Sequence, residues 1–150
     1  MALGYTTYKT PNAIYTIGSD LTGKEGCGVA LTGQGAVAIA AAPTDVPYAV
    51  VTVGGPSEDG QYPGLVAQAS VEFVDQLGCC VQVTISSESS VTAGEFLLID
   101  SAVTDGTFTG SNSLTPNLGD WLWGIALTNA QPGEQCLMRF QPVPIQYVAP

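Results

Sequence analysis

Short runs of β-forming residues alternate with polar ones along this chain, and Gly, Pro, Asn or Asp interrupts each run. Val81, Val83 and Ile85 alternate with Gln82 and Thr84. Cys136, Met138 and Phe140 share one phase, and Leu137 and Arg139 share the other. Trp121, Trp123, Ile125 and Leu127 fall at period two, which predicts that all four line one face of a strand. Val71 and Phe73 alternate less cleanly with Ser70, Glu72 and Val74. Two further segments, residues 48–53 with Thr52 as the one polar member and residues 96–99, are apolar runs, as expected of strands buried on both faces. Helical periodicity is nearly absent. Only residues 65–77 could hold a short helix, and a strand fits them as well. The 18 glycines and 10 prolines oppose long helices. The expected fold class is all-β, a compact β-barrel or β-sandwich, with extended N- and C-terminal arms.

The expected organisation is an N-terminal arm over residues 1–12, one β domain over 13–140 and a C-terminal arm over 141–150. The first segment has two tyrosines and little periodicity. The last carries Pro142, Pro144 and Pro150, and prolines remove the donors that a central strand needs. An apolar arm on a charge-poor protein lies against its own domain or a neighbour. Tyr5, Tyr8, Pro142, Val143, Pro144, Ile145 and Tyr147 are therefore candidate protein-interface residues.

Two turn sequences echo each other. Thr92-Ala93-Gly94-Glu95 precedes Phe96, and Gln131-Pro132-Gly133-Glu134 precedes Gln135. Each has Gly at the third position, where a type II turn needs positive φ. Internal duplication and independent use of the same turn chemistry both account for the echo. The longest loop expected, residues 54–64, is polar and holds Glu58 and Asp59.

Composition narrows the function classes. At 45% hydrophobic residues the chain can build a globular core, yet only 11% of residues are charged, which suits a surface partly covered in an assembly. Net charge is −10, and Lys9, Lys24 and Arg139 are the only cations. Three scattered cations make no phosphate-binding patch, so neither nucleic acid nor an anionic membrane is an expected partner. The longest apolar stretch, residues 35–42, is too short to span a bilayer, and the start of the chain lacks the basic and apolar regions of a secretory signal.

Catalytic motifs are scarce. The chain has no histidine, which removes the commonest general base and the usual triads. Cys27, Cys79, Cys80 and Cys136 have no Cys-x-x-Cys spacing, and adjacent strand residues such as Cys79 and Cys80 point to opposite faces. No metal or cofactor is expected. The cysteines read as small core residues, with a Cys27–Cys136 disulfide left open. Phe96-Leu97-Leu98-Ile99-Asp100-Ser101-Ala102 is similar to the strand-Asp-Ser/Thr-Gly element of aspartic proteases, with Ala102 in place of the glycine. Asp100 equally fits a strand-ending turn cap. An Asp100–Asp105 glycosidase pair is a further alternative. Trp121 and Trp123 fit a sugar-stacking platform or core and interface packing, and their small, apolar neighbours favour burial.

The stretch from Gly119 to Phe140, with Trp123-Gly124-Ile125-Ala126-Leu127 and Ala130-Gln131-Pro132-Gly133-Glu134, resembles the strand-and-turn signature of small bacteriophage capsid decoration (cement) proteins. Asp45-Val46-Pro47-Tyr48-Ala49-Val50-Val51 looks like that family's Pro-x-Gly-Val-Val strand. Val91-Thr92-Ala93-Gly94-Glu95 through Asp100 looks like its Ala-Gly hairpin, and Gly106-Thr107-Phe108-Thr109 like its Gly-φ-Thr step. The likeness covers residues 45–140. Tyr48 and Ala49 depart from the family's small-Gly pair, the Trp pair is unusual in it, and neither arm has a counterpart. The resemblance implies a non-enzymatic virion protein, made in the host cytoplasm and bound as a homotrimer to the major capsid protein on the capsid exterior. Such proteins bind the expanded head and stabilise it against internal DNA pressure. A carbohydrate-binding or host-attachment module on a virion is the alternative.

Overall fold

A computed structural model describes residues 16–33, 36–53 and 72–146. The described chain has ten strands in two sheets and no helix, as the short alternating runs require. The strands are β1 (Thr16–Ile17), β2 (Gly28–Gly33), β3 (Ala36–Ile39), β4 (Val46–Val53), β5 (Glu72–Val74), β6 (Cys80–Thr84), β7 (Phe96–Ile99), β8 (Phe108–Gly110), β9 (Trp121–Ala126) and β10 (Gln135–Pro144). The first sheet has the order β1-β3-β2-β4-β5 and the second β6-β10-β9-β7-β8. Pairings are antiparallel except β1 with β3. Of the two architectures the pattern allows, the fold is sandwich-like rather than a closed barrel.

Between the sheets lies the main core. Val81, Val83, Ile85, Leu97, Ile99, Phe108, Trp123, Cys136, Met138 and Phe140 meet Ala30, Ala40 and Val50 of the first sheet. Alternation puts neighbouring residues on opposite faces, so Val29 and Val51 point the other way. There they pack with Val37 and Leu21, the latter from the β1–β2 connection. The apolar run of β4 is thus buried on both faces. In β7 the same holds for Leu97, Leu98 and Ile99, but Phe96 is 46% exposed.

The two echoing turns share one hydrogen-bonding scheme. Glu95 N donates to Thr92 O, and Thr92 N donates back to the Glu95 carboxylate. Glu134 N donates to Gln131 O at 3.0 Å, and Gln131 N donates back to Glu134 Oε2 at 2.9 Å. Gly94 and Gly133 have φ of 96° and 79°, the left-handed conformation expected at that position. Val91 and Ala130, which precede the turns, exchange backbone hydrogen bonds in both directions at 2.9 Å. The likeness extends to the flanks: Gly94 N donates to Ala126 O, and Gly133 N to Ser86 O. The carboxylate satisfies the first N–H of the turn, and this is the local reason for Glu after Gly in both sequences.

Two expectations need correction. Trp121 and Trp123 face the core, but Ile125 and Leu127 do not continue their face. The phase slips at Gly124, where a Cβ would overlap the Arg139 carbonyl oxygen. A register shift between Phe140 and Val143 of β10 accompanies the slip. Bulges of this kind reverse which side chains point inward. The second concerns the boundary expected at residue 141. Gln141–Pro144 continues β10, with Val143 opposite Leu122 and Pro144 opposite Trp121. Its prolines are accommodated because the pairing of β10 with β6 ends at Arg139 opposite Cys80. Past that point β10 pairs only with β9, so the missing proline donors fall where the strand has become an edge. The candidate arm residues 1–12, the loop 54–64 and residues 65–71 of the ambiguous segment lie outside the described residues. Residues 72–74 of that segment form β5.

Candidate protein-interaction surface

The outward face of the second sheet follows from its pairing. Met138 stands opposite Ala126 and both enter the core, so their neighbours Arg139 and Ile125 point outward. Ile125 is paired in turn with Phe96, and Arg139 with Cys80. One row across the face therefore reads Phe96, Ile125, Arg139, Cys80. A second row has Leu137 opposite Gln82 and beside Leu127, whose N–H donates to the Leu137 carbonyl at 2.7 Å. A third, toward the bulge, pairs Leu122 with Val143. Phe96, Leu127 and Val143 are each more than 40% exposed, and Leu122, Ile125 and Leu137 are half-buried.

An antiparallel sheet with one wet face normally alternates apolar inward with polar outward. Here the outward positions of β9, and Leu137 and Val143 of β10, are apolar. Six such side chains form a stripe of the kind that marks interaction sites. No carboxylate occupies these outward strand positions, although the chain carries 13 acids. Arg139 is exposed within the stripe, and among the described residues it forms no ion pair.

The structure distributes the candidate interface residues unevenly. Val143 belongs to this face. Pro142, Pro144 and Ile145 are half-buried beside it, with Ile145 tied down by Ile145 N to Asp120 O at 2.8 Å and Gly119 N to Ile145 O at 3.1 Å. Tyr5, Tyr8 and Tyr147 lie outside the described residues. Sequence reasoning missed Phe96, Ile125, Leu127, Leu137 and Arg139 as a group. One signal was legible: β10 carries Leu137 in the phase opposite to its core residues. The positions of Ile125 and Leu127 were masked by the slip at Gly124.

The other chemical candidates resolve locally. Trp123 is fully buried, with Phe108 edge-on at 5.4 Å and Phe140 stacked at 6.3 Å between ring centroids. Its indole N–H has no hydrogen-bond acceptor among the described residues. Trp121 is half-buried against the same core, so the pair offers no sugar-stacking platform. Asp100 Oδ1 accepts from Ala102 N at 2.9 Å, and Asp105 Oδ1 accepts from Thr107 N at 3.1 Å; each carboxylate is engaged in its own turn. All four cysteines are free, so the open Cys27–Cys136 disulfide is not formed. Burial pushes the Cys27 thiol up to about 11, against the pull of Lys24 and with help from Asp105 and Glu25. Among the described residues no three His, Cys, Asp or Glu side chains converge as a metal site would need.

No protein-family model matches the chain, and no curated protein matches it. Among solved structures it is similar to the N base of the head fiber gp8.5 of bacteriophage phi29. The TM-score is 0.52 at 20% sequence identity, covering 89% of this chain and 96% of that one. At that identity the likeness establishes a shared fold.

Proposed function

We propose that this chain is a structural, non-enzymatic protein of a bacteriophage virion that binds the outside of the head. Its fold is shared with a protein whose name places it at the base of a head fiber. The observation that carries the proposal is the stripe on the second sheet's outward face, apolar where a solvated sheet would be polar and free of carboxylates in a chain of net charge −10. Such a face suits binding to another protein surface. The strand-and-turn resemblance over residues 45–140 adds a finer role, that of a cement protein which contacts the major capsid protein and stabilises the expanded head against internal DNA pressure.

A charge of −10 per copy opposes association in dilute solution, so the homotrimer belongs to the bound state, where neighbouring sites on the shell bring copies together. Many weak contacts then sum to resist rupture. Co-sedimentation of the purified protein with expanded heads lacking it, and with unexpanded proheads, tests the role. Saturable binding to expanded heads alone is the expected result. Binding to neither particle would remove the capsid role.

A further inference from the structure

The apolar stripe on the second sheet flanks a single cation, Arg139, on its β9 side, and the guanidinium reaches toward Gly78 beside β6. Docking a protein surface against Phe96, Ile125, Leu127 and Leu137 would take the Arg139 guanidinium out of water together with them. A buried charge left without a partner is strongly destabilising, and no described carboxylate of this chain pairs with Arg139. The partner must therefore bring the acid. Arginine is also among the side chains enriched at interface hot spots, and its planar fork takes a carboxylate through two hydrogen bonds.

We infer that this face is where the shell protein of the head docks, and that the shell protein presents a carboxylate to Arg139 beside the apolar stripe. The inference rests on the head-binding role proposed above. A second copy of this chain is the weaker occupant. Each copy carries a net charge of −10, so a second copy approaches against a repulsion that a less acidic surface does not present. The placement of charge supports the same choice. With acids kept off its strand positions, this face approaches a carboxylate-bearing surface with less repulsion than the acid-bearing remainder of the chain.

The test is equilibrium binding of wild type, Arg139→Glu, Arg139→Lys and Lys24→Glu to expanded heads lacking the protein, with circular-dichroism melting of each variant. Lys24, in the β1–β2 connection, controls for the change in net charge. Arg139→Glu is expected to weaken binding about tenfold or more and Arg139→Lys by less, because it keeps the charge and loses the fork. Lys24→Glu should change affinity less than about threefold, as a rim or remote charge does. Should Arg139→Glu melt early, Leu127→Asp, just past the end of β9, repeats the test. Wild-type affinity in Arg139→Glu and Leu127→Asp would overturn the docking face while leaving head binding intact. Equal losses from Lys24→Glu and Arg139→Glu would reduce the effect to net charge and overturn it as well. Wild-type oligomers in solution that Arg139→Glu dissociates would assign the face to a second copy. No binding of wild type to heads would remove both proposals.

Discussion

Gly28 lies under the Trp123 indole, and this contact between the sheets gives a sharp test of how the sandwich is held. A Cβ added at Gly28 would sit 2.8 Å from Ile99 Cδ1 and 2.9 Å from two atoms of the Trp123 ring. Ile99 Cδ1 can rotate away. The indole cannot, because Phe108 and Phe140 flank it. Gly28 does not have positive φ, so alanine is tolerated by the backbone and stiffens the unfolded chain, a gain of about 0.4–1 kcal/mol. Overpacking costs about 2–3 kcal/mol where neighbours are pinned. Gly28→Ala should therefore destabilise by about 2 kcal/mol, the difference between those two effects. At a urea m-value of about 2 kcal/mol/M that moves the unfolding midpoint down by about 1 M. Trp123→Phe removes the ring atoms that Cβ would strike. It should be destabilising alone, yet combined with Gly28→Ala the total should fall short of the sum by about 1 kcal/mol or more. Urea titrations followed by far-UV circular dichroism measure all four corners of this cycle. A neutral Gly28→Ala, or strict additivity in the double variant, would refute the packing argument.

Other outcomes follow from the same geometry. Glu95 is nearly buried and accepts from Thr92 N and Asn112 N, whereas Glu134 is exposed, so Glu95→Ala should cost about 2–3 kcal/mol and Glu134→Ala below about 1 kcal/mol, read from denaturant midpoints. Equal costs would mean that burial does not separate the two turns. The folded Cys27 thiol titrates near 11 against an ordinary 9.0, so the folded state favours the neutral thiol. Its contribution is full below pH 9 and is lost as pH rises through the folded value, about 2–3 kcal/mol in all. Cys27→Ala should flatten stability between pH 9 and 11, and an unchanged slope would reject the assignment. With a thiol reagent at pH 8, exposed Cys80 should react within minutes while buried Cys27 and Cys136 stay protected until unfolding; prompt labelling of either buried thiol would contradict their placement. Removing residues 141–150 deletes the Val143 and Pro144 pairings and both Ile145 hydrogen bonds, so it should lower the melting temperature by several degrees.

Local chemistry made much of this protein legible from its sequence. Period-two runs such as Val81-Gln82-Val83 need no tertiary information, because alternation is a property of the extended backbone itself. The continuous run of β4 announced burial on both faces, and Val50 and Val51 do enter opposite clusters. The two Gly-Glu turns were legible because their determinants lie within four residues. What depended on residues far apart was not. Whether the strands would form a barrel or a sandwich, and in which order, is decided by long-range pairing such as β10 with β6, which no local pattern encodes. The slip at Gly124 arises because the Arg139 carbonyl approaches a position without a Cβ. That approach moves Ile125 and Leu127 from the expected core face to the exterior. The same strand pairing carries Gln141–Pro144 along β9, where the prolines suggested an extended arm outside the β domain. It also gathers Phe96, Ile125, Leu137 and Arg139 from three strands onto one surface. The residues determined the strands; their register across the sheet decided which side chains face a partner, because a shift of one residue exchanges inside for outside.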